Sequence, residues 1–283
     1  MRKRNVGVVG LGLIGGSLCK ALKAADGYHV LGADQSQDVV DAALADGALD
    51  GALDGASLGA CDILLIALYP QRVIDYVRQH AKLMKKGAIV MDMAGVKTRI
   101  CRELSGFCAE RGVRFIGGHP MAGIEKSGYQ HSFVSLFEGA TMLLCRDQHT
   151  EESALKAASA LVLHAGFGEV KIVDPAQHDA VIAYTSQLAH IASSAYVKSP
   201  TLGQRKSFSA GSYKDLTRVA KLHAGMWTEL FLENRGNLLF EIDELIGHLA
   251  EYRAALQEGD EDGLYRLLDD GAKRKIWDEE RET

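Results

Sequence analysis

The sequence predicts an α/β protein in two parts, a parallel sheet wound with helices followed by an all-helical half. As far as Val173, short apolar runs alternate with helical patterns, as a doubly wound sheet requires. The first of these runs passes through a glycine-rich turn into a helix. Beyond Asp174-Pro175, an N-cap residue followed by proline at the first helical position, the apolar spacing is helical almost throughout. A chain of 283 residues has room for two domains, placed here at 1–172 and 173–283.

Residues 6–9 read as a buried strand, followed by Gly10-x-Gly12-x-x-Gly15 and the helical spacing of Leu18, Ala21 and Leu22. A dinucleotide-binding turn needs that order of parts. The first glycine permits the tight turn, the second lets the backbone approach a pyrophosphate, and the third lets helix and strand pack closely. The unpaired N–H groups of the helix N-terminus then face the phosphates. The first half is therefore read as a Rossmann-type domain, with Gly10, Gly12, Leu13, Ile14 and Gly15 as cofactor contacts. A second strand ends at Asp34, 19 residues beyond Gly15, where an acid bonds a ribose 2′-hydroxyl. The cofactor is predicted to be NAD, because Asp34 repels a 2′-phosphate and Gln35-Ser36 supplies no arginine to receive one.

Further strands follow at 61–68, at 88–91, at 114–116 (leading into Gly117-Gly118-His119-Pro120), at Thr141–Cys145 and at Glu169–Val173, with a helix over 151–164. The repeat Asp46-Gly47-Ala48-Leu49, Asp50-Gly51-Ala52-Leu53, Asp54-Gly55 lacks the closely alternating ligands and closing glutamate of a calcium loop, and reads as a helix end followed by turns. In the second half, helices are predicted over 176–197, 215–221 and 224–257, with a loop over 203–212. Within the last helix Leu238, Ile242, Leu245, Leu249, Tyr252 and Leu256 are spaced 4, 3, 4, 3 and 4, a heptad seam. A helix of that length, ~50 Å at ~1.5 Å per residue, needs a partner, and a second copy of the chain is the simplest one.

Composition narrows the function classes. With 47% hydrophobic and 24% charged residues the chain is an ordinary soluble globular protein. From Glu251 onward 11 acids face 6 bases, which accounts for the whole net charge of −5, so no domain is basic and no nucleic-acid surface is expected. That acidic stretch reads as a solvated helical face with a frayed end. Neither a signal peptide nor a membrane span is expected, and five cysteines without a CxxC fit reduced thiols in the cytoplasm. No His/Cys/Asp cluster has metal-ligand spacing.

In an open parallel sheet, ligands bind beyond the carboxyl ends of the strands. Three stretches occupy such ends: the Gly10 turn, Asp92-Met93-Ala94-Gly95-Val96-Lys97, and His119-Pro120-Met121-Ala122-Gly123. A histidine at a strand end near a nicotinamide can accept the proton of an alcohol being oxidised, its ordinary pKa being close to neutral. In the helical half, Ser186 and His190 lie one turn apart on one face. Arg218 is suited to clamping a carboxylate, and Trp227 can wall a ring-sized pocket. His178 and Lys214 read as structural or surface residues.

Over nearly its whole length the chain resembles the prephenate/arogenate dehydrogenases of tyrosine biosynthesis. The matching pieces are GLGLIGGS from Gly10, DMAGVK from Asp92, HPMAGIEKSG from His119, DPAQHD from Asp174, SQLAH from Ser186, YKDLTRVA from Tyr213 and MWTELFLEN from Met226. The resemblance implies that His119 is the catalytic histidine at the substrate's ring hydroxyl and that Arg218 holds the ring carboxylate. It also implies that His190, Ser186 and Trp227 line the substrate pocket, with Glu125 and Asp215 near its mouth. The implied reaction is NAD-dependent oxidative decarboxylation of prephenate or arogenate, by a homodimer joined through the helical domain. Gly95 departs from the family pattern, where many members carry a serine that contacts the hydroxyl or the histidine. Ile124 stands where some have a threonine. Two rival readings are a β-hydroxyacid dehydrogenase, which would need a catalytic lysine where Ser186 and His190 stand, and a non-catalytic redox sensor that binds NAD.

Overall fold

A computed structural model describes residues 3–282. Its centre is an eight-stranded sheet in the order β3-β2-β1-β4-β5-β6-β7-β8. The strands are β1 Arg4–Val9, β2 Tyr28–Ala33, β3 Gly51–Ala52, β4 Ile63–Ile66, β5 Ile89–Asp92, β6 Arg114–Pro120, β7 Thr141–Cys145 and β8 Glu169–Val173. Helices α1 Leu13–Ala24, α2 Gln37–Ala45, α3 Gly55–Leu58, α4 Pro70–His80, α5 Thr98–Ala109 and α6 Glu152–His164 run between them. Strands β1 to β6 pair in parallel, as crossover connections dictate. The parallel expectation fails at one joint: β7 runs antiparallel to β6, with His119 opposite Leu143, and β8 then pairs in parallel with β7. The connection from β6 to β7 holds only short 3-10 turns, with no crossover helix to bring the chain back in the same direction.

The strands β1, β4 and β5 are buried on both faces, which is why they read as unbroken apolar runs. One face packs Val6, Val8, Ile63, Leu65, Ile89 and Met91 against α1 and α6, and includes the thiol of Cys19. The opposite face packs Leu64, Ile66, Val90 and Phe115 with α4 and α5 and includes Cys61, Cys101, Cys108 and Cys145. All five cysteines are free and buried. Burial pushes the Cys61 thiol up to about 11 and the Cys108 thiol up to about 12.

The acids of the Asp-Gly repeat have structural partners. Asp46 accepts from the Tyr129 hydroxyl (3.0 Å), and Asp50 accepts from Val30 N (2.7 Å) and pairs with Lys23. Asp54 caps α3 through a capping box with Ser57. The repeat also hides β3, an edge strand of two residues, too short to show any period.

The all-helical part is more broken than its spacing predicts. Helix α7 (Pro175–Ile182) passes into a π-helical segment, Ala183–Leu188, before α8 (Ala189–Tyr196). After a 3-10 stretch at Pro200–Gln204 come α9 (Gly211–Thr217) and α10 (Ala224–Glu233). The single helix expected over 224–257 is interrupted at Asn234, whose backbone leaves the helical region (φ −107°, ψ 22°). The side-chain amide of Asn234 donates instead to Asp179 O and to Gln187 Oε1, both at 2.8 Å. By packing, the chain divides at this point into one compact unit up to Asn234 and another from Arg235 onward.

The second unit consists of α11 (Arg235–Glu258) and α12 (Glu261–Glu282), joined at Gly259 with φ +67° and held by the Tyr252 hydroxyl donating to Leu267 O (3.1 Å). The acidic stretch is thus helical to Glu282, beyond the frayed end expected. Of the heptad seam, Leu238 is buried and Tyr252 half-buried, while Leu249 (57%) and Leu256 (66%) stay exposed in the single chain. Phe240, Ile246, Leu268 and Trp277 are exposed as well, leaving a large apolar surface on this unit. No helix among the described residues is long and apolar enough to cross a membrane.

Candidate active site

The glycine turn has the shape that a pyrophosphate requires. Gly10 adopts φ +86°, a conformation that strains any side chain, and donates to Ala33 O (2.8 Å). A Cβ on Gly15 would stand 1.8 Å from the Gly10 carbonyl oxygen, so the close approach of α1 to the turn depends on glycine there. A Cβ on Gly12 would meet nothing within 4 Å, which marks the open side of the turn. Gly12 is the N-cap of α1 and brings no side-chain cap, so the first-turn amides that include Leu13 and Ile14 are left for an anion. Both of those side chains also pack on the core beneath. Asp34 receives Leu11 N (2.8 Å) on one carboxylate oxygen and Ser36 N (3.0 Å) on the other, so it is oriented at the turn before any ribose arrives. These residues fit a dinucleotide. One cation does stand nearby, although Gln35-Ser36 itself brings none. Arg72, from α4, donates to Gln35 Oε1 (3.0 Å).

The carboxyl ends of β5 and β6 hold the remaining chemistry. Asp92 and Lys97 form a fully buried ion pair, and the Lys97 ammonium also donates to Gly118 O (2.7 Å). Burial pushes the Asp92 carboxyl up against the pull of Lys97. His119, one residue further along β6, is half-buried, and its Nδ1 lies 2.9 Å from His178 Nε2. His178 Nδ1 is 2.7 Å from Asp179 Oδ1. That same carboxylate receives Lys97 N on Oδ1 and Thr98 N on Oδ2, each at 2.8 Å, and so caps the N-terminus of α5. Burial raises the Asp179 carboxyl, but the bonds from His178 and Thr98 outweigh it and hold the group below its ordinary range. Burial, the facing His178 and the Lys97 ammonium push the His119 imidazole well below its ordinary value, against the opposing pull of Asp179. The near-neutral ionisation expected for a strand-end histidine is therefore corrected downward. His178 is lowered too, burial exceeding the help of Asp179.

Over this end of the sheet lies α10. A Cβ on Gly95 would meet Leu230 of α10 at 3.5 Å and His119 Nε2 at 3.8 Å. Three residues before Leu230, Trp227 packs against His190 with ring centroids 3.9 Å apart and the planes tilted by 32°. His190 Nδ1 donates to Ser186 O (2.8 Å), a carbonyl in the π-helical segment, where such bulges commonly serve sites. Arg218 and Glu125 are exposed and joined in an ion pair. A bond to its own backbone amide and the guanidinium hold the Glu125 carboxyl low, with His190 contributing. The rim is tied down by Glu229 accepting from Gln71 N (2.7 Å) and by the Arg99–Glu233 pair.

The structure thus gathers His119, His190, Ser186, Trp227, Glu125 and Arg218 on the pieces of chain around one strand end. Asp215 is exposed on α9, and among the described residues no hydrogen bond joins it to them. His178 and Asp179, which carried no functional reading from sequence beyond the DPAQHD match, turn out to touch His119 directly or through one bond. The available signal was the His-Asp pair itself, but only the fold brings it to residue 119.

Two family models match the chain: the nucleotide-binding domain of prephenate dehydrogenase over residues 18–170 and the dimerization domain of prephenate dehydrogenase over residues 174–270. The chain is 30% identical to a prephenate dehydrogenase of Lactococcus lactis over 94% of its own length and 75% of the relative's. It is 29% identical to a cyclohexadienyl dehydrogenase of Zymomonas mobilis, covering 96% and 95%. Among solved structures it superposes on Aquifex aeolicus prephenate dehydrogenase in complex with hydroxyphenyl propionate and NAD+, with a TM-score of 0.87, 26% identity and 98% of each chain covered. It also superposes on Synechocystis arogenate dehydrogenase with a TM-score of 0.80, 25% identity and coverage of 96% and 99%.

Proposed function

The chain belongs to the prephenate dehydrogenase family, and from that premise we propose that it is an NAD-dependent enzyme converting prephenate to 4-hydroxyphenylpyruvate and CO2. The observation that carries this reading is His119 at the end of β6, with its Nε2 beside Gly95 and under α10. When bound, NAD+ supplies acceptance of a hydride from the carbinol carbon. His119 takes the hydroxyl proton on Nε2, so the carbinol becomes a ring ketone. The ketone is conjugated to the carbon that bears the ring carboxylate, and loss of CO2 sends the bonding pair into the ring and on to the oxygen. His119 returns its proton to that oxygen, giving a phenol. Atoms and charge balance with no net proton released, and aromatisation drives the step forward. Arg218 holds the ring carboxylate, and the packed His190–Trp227 pair with Ser186 walls the ring. Glu125 screens Arg218 until substrate arrives, and Asp215 adds negative charge to the same rim.

We place the functional division at 172/173, with the nucleotide, His119 and Glu125 on one side and the remaining substrate contacts and the dimer contacts on the other. The exposed apolar surface of α11 and α12 supports a homodimer through that part, and reduced buried thiols support a cytoplasmic setting. The test is NADH formation with NAD+ and prephenate or arogenate, side by side. Turnover of prephenate is expected; absence of NADH with either substrate would refute the reading, and turnover of arogenate alone would reassign the substrate.

A further inference from the structure

Resting on that reading of His119 as the base, we propose that Asp179 and His178 are positioning residues that lock His119 in the one neutral tautomer able to act. The hydrogen bonds fix each proton in turn. Lys97 N and Thr98 N are backbone donors, so the Asp179 oxygens that meet them at 2.8 Å are acceptors. A carboxylate already receiving two amides requires a hydrogen on His178 Nδ1, 2.7 Å away. A neutral His178 then has a bare Nε2 and can only accept from His119 Nδ1 at 2.9 Å. His119 therefore carries its hydrogen on Nδ1, and Nε2 presents a lone pair toward the site. Each ring fixes the next, and the sequence of donors begins at the N-terminus of α5.

Two further features make this chain of bonds decisive. On the Nε2 side, Gly95 has no side chain to hold the ring, and among the described residues His119 has no other side-chain hydrogen bond. Orientation comes from the Nδ1 side alone. The groups that face the two rings are Lys97 and Asp92 from the β5 end and Asp179 from α7. Lys97 is already paired with Asp92 and Gly118 O, so Asp179 is the acid left to stabilise the imidazolium formed when Nε2 takes a proton.

The test is a long-range proton–nitrogen correlation spectrum of the NAD-loaded protein labelled with 15N-histidine. The expected result is a protonated Nδ1 and a bare Nε2 on His119, and a protonated Nδ1 on His178. A His119 bearing its proton on Nε2 would overturn the proposal. Two variants add a kinetic readout. His178→Leu removes the acceptor, so His119 becomes a mixture of tautomers and kcat falls severalfold, short of the ~10⁴-fold lost when an imidazole is held wholly in the wrong tautomer. KM for prephenate and NAD should stay within about twofold. His178→Gln offers a carbonyl to Nδ1–H at the place of the lost nitrogen, and should restore the tautomer and most of kcat. Unchanged tautomer and kcat in His178→Leu would refute the positioning role. If that variant does not fold, the wild-type spectrum alone decides. A wild type that shows the expected tautomer yet makes no NADH from prephenate would sink the activity and leave the tautomer assignment standing.

Discussion

Acidification should weaken this fold through two imidazoles that it keeps neutral. His119 and His178 are both lowered in the folded chain, so below their ordinary value of about 6.5 the unfolded chain binds more protons. The stability they contribute is complete above that value and is lost as the pH falls through it. A histidine held neutral in the fold loses about 1.4 kcal/mol by pH 5.5 and about 0.2 kcal/mol at pH 7, from the ratio of protonated to neutral forms in the unfolded chain. Two of them give a loss of at most about 2.5 kcal/mol between these pH values, the limit for rings that stay wholly neutral in the fold at pH 5.5. With a urea dependence of ~2–3 kcal/mol/M, the unfolding midpoint should fall measurably, by up to about 1 M. The assay is urea unfolding at both pH values and one protein concentration, since association would otherwise shift the midpoint. His119→Asn with His178→Gln removes both imidazoles while leaving Asp92 and Asp179 in place, so it isolates their share. The double variant should lose little over this interval. Parallel losses in wild type and double variant would refute the account of the two neutral rings.

The same low imidazole range predicts that kcat/KM stays level from pH 8 down past 6.5 and falls only in more acidic buffer; a single ionisation centred near 6.5 would contradict the buried pair. His119→Gln carries an amide to the Nε2 position, where it can bond the hydroxyl but cannot take its proton, so kcat should fall by roughly 10²–10⁴ with NAD affinity intact; near-wild-type turnover would remove the base. Arg218→Ala should mainly raise KM for prephenate, by an amount on the order of 2–5 kcal/mol in transition-state binding, because the carboxylate it pairs is present before and during hydride transfer. Equal loss of NAD binding would make Arg218 structural instead. Gly12→Ala should fold normally, its methyl meeting nothing within 4 Å, yet bind NAD poorly by calorimetry, whereas Gly15→Ala should be destabilised by its 1.8 Å clash. Normal NAD affinity in Gly12→Ala would move the pyrophosphate elsewhere.

What the sequence disclosed, and what it concealed, follows from the range of the forces involved. The Gly10 turn, the doubly buried strands and the N-cap at Asp174 are set by neighbours in the chain, and each was legible. His119 was legible because a strand end fixes where its side chain must be. The reversal of β7 and the two-residue β3 were not, since pairing direction and edge strands leave no period. The π-helical segment at Ser186 keeps the composition of an ordinary helix, so only the fold exposes it. The break at Asn234 is tertiary: its amide finds Asp179 O and Gln187, both distant in sequence, and the long helix yields to them. His178 reads as structural for the same reason, because its contact is with residue 119 rather than within any local pattern.

The buried cysteines turn the two faces of the sheet into separately countable chemistry. Cys19 lies alone in the layer with α1 and α6, while Cys61, Cys101, Cys108 and Cys145 share the opposite layer. Thiols raised by burial react with alkylating reagents only when the structure around them opens. A chain that opens on the first face gains one label, and a chain that opens on the second gains up to four. The mass of the intact labelled protein, followed over time in low urea, therefore reports which layer comes apart first, with native residues as the only probes.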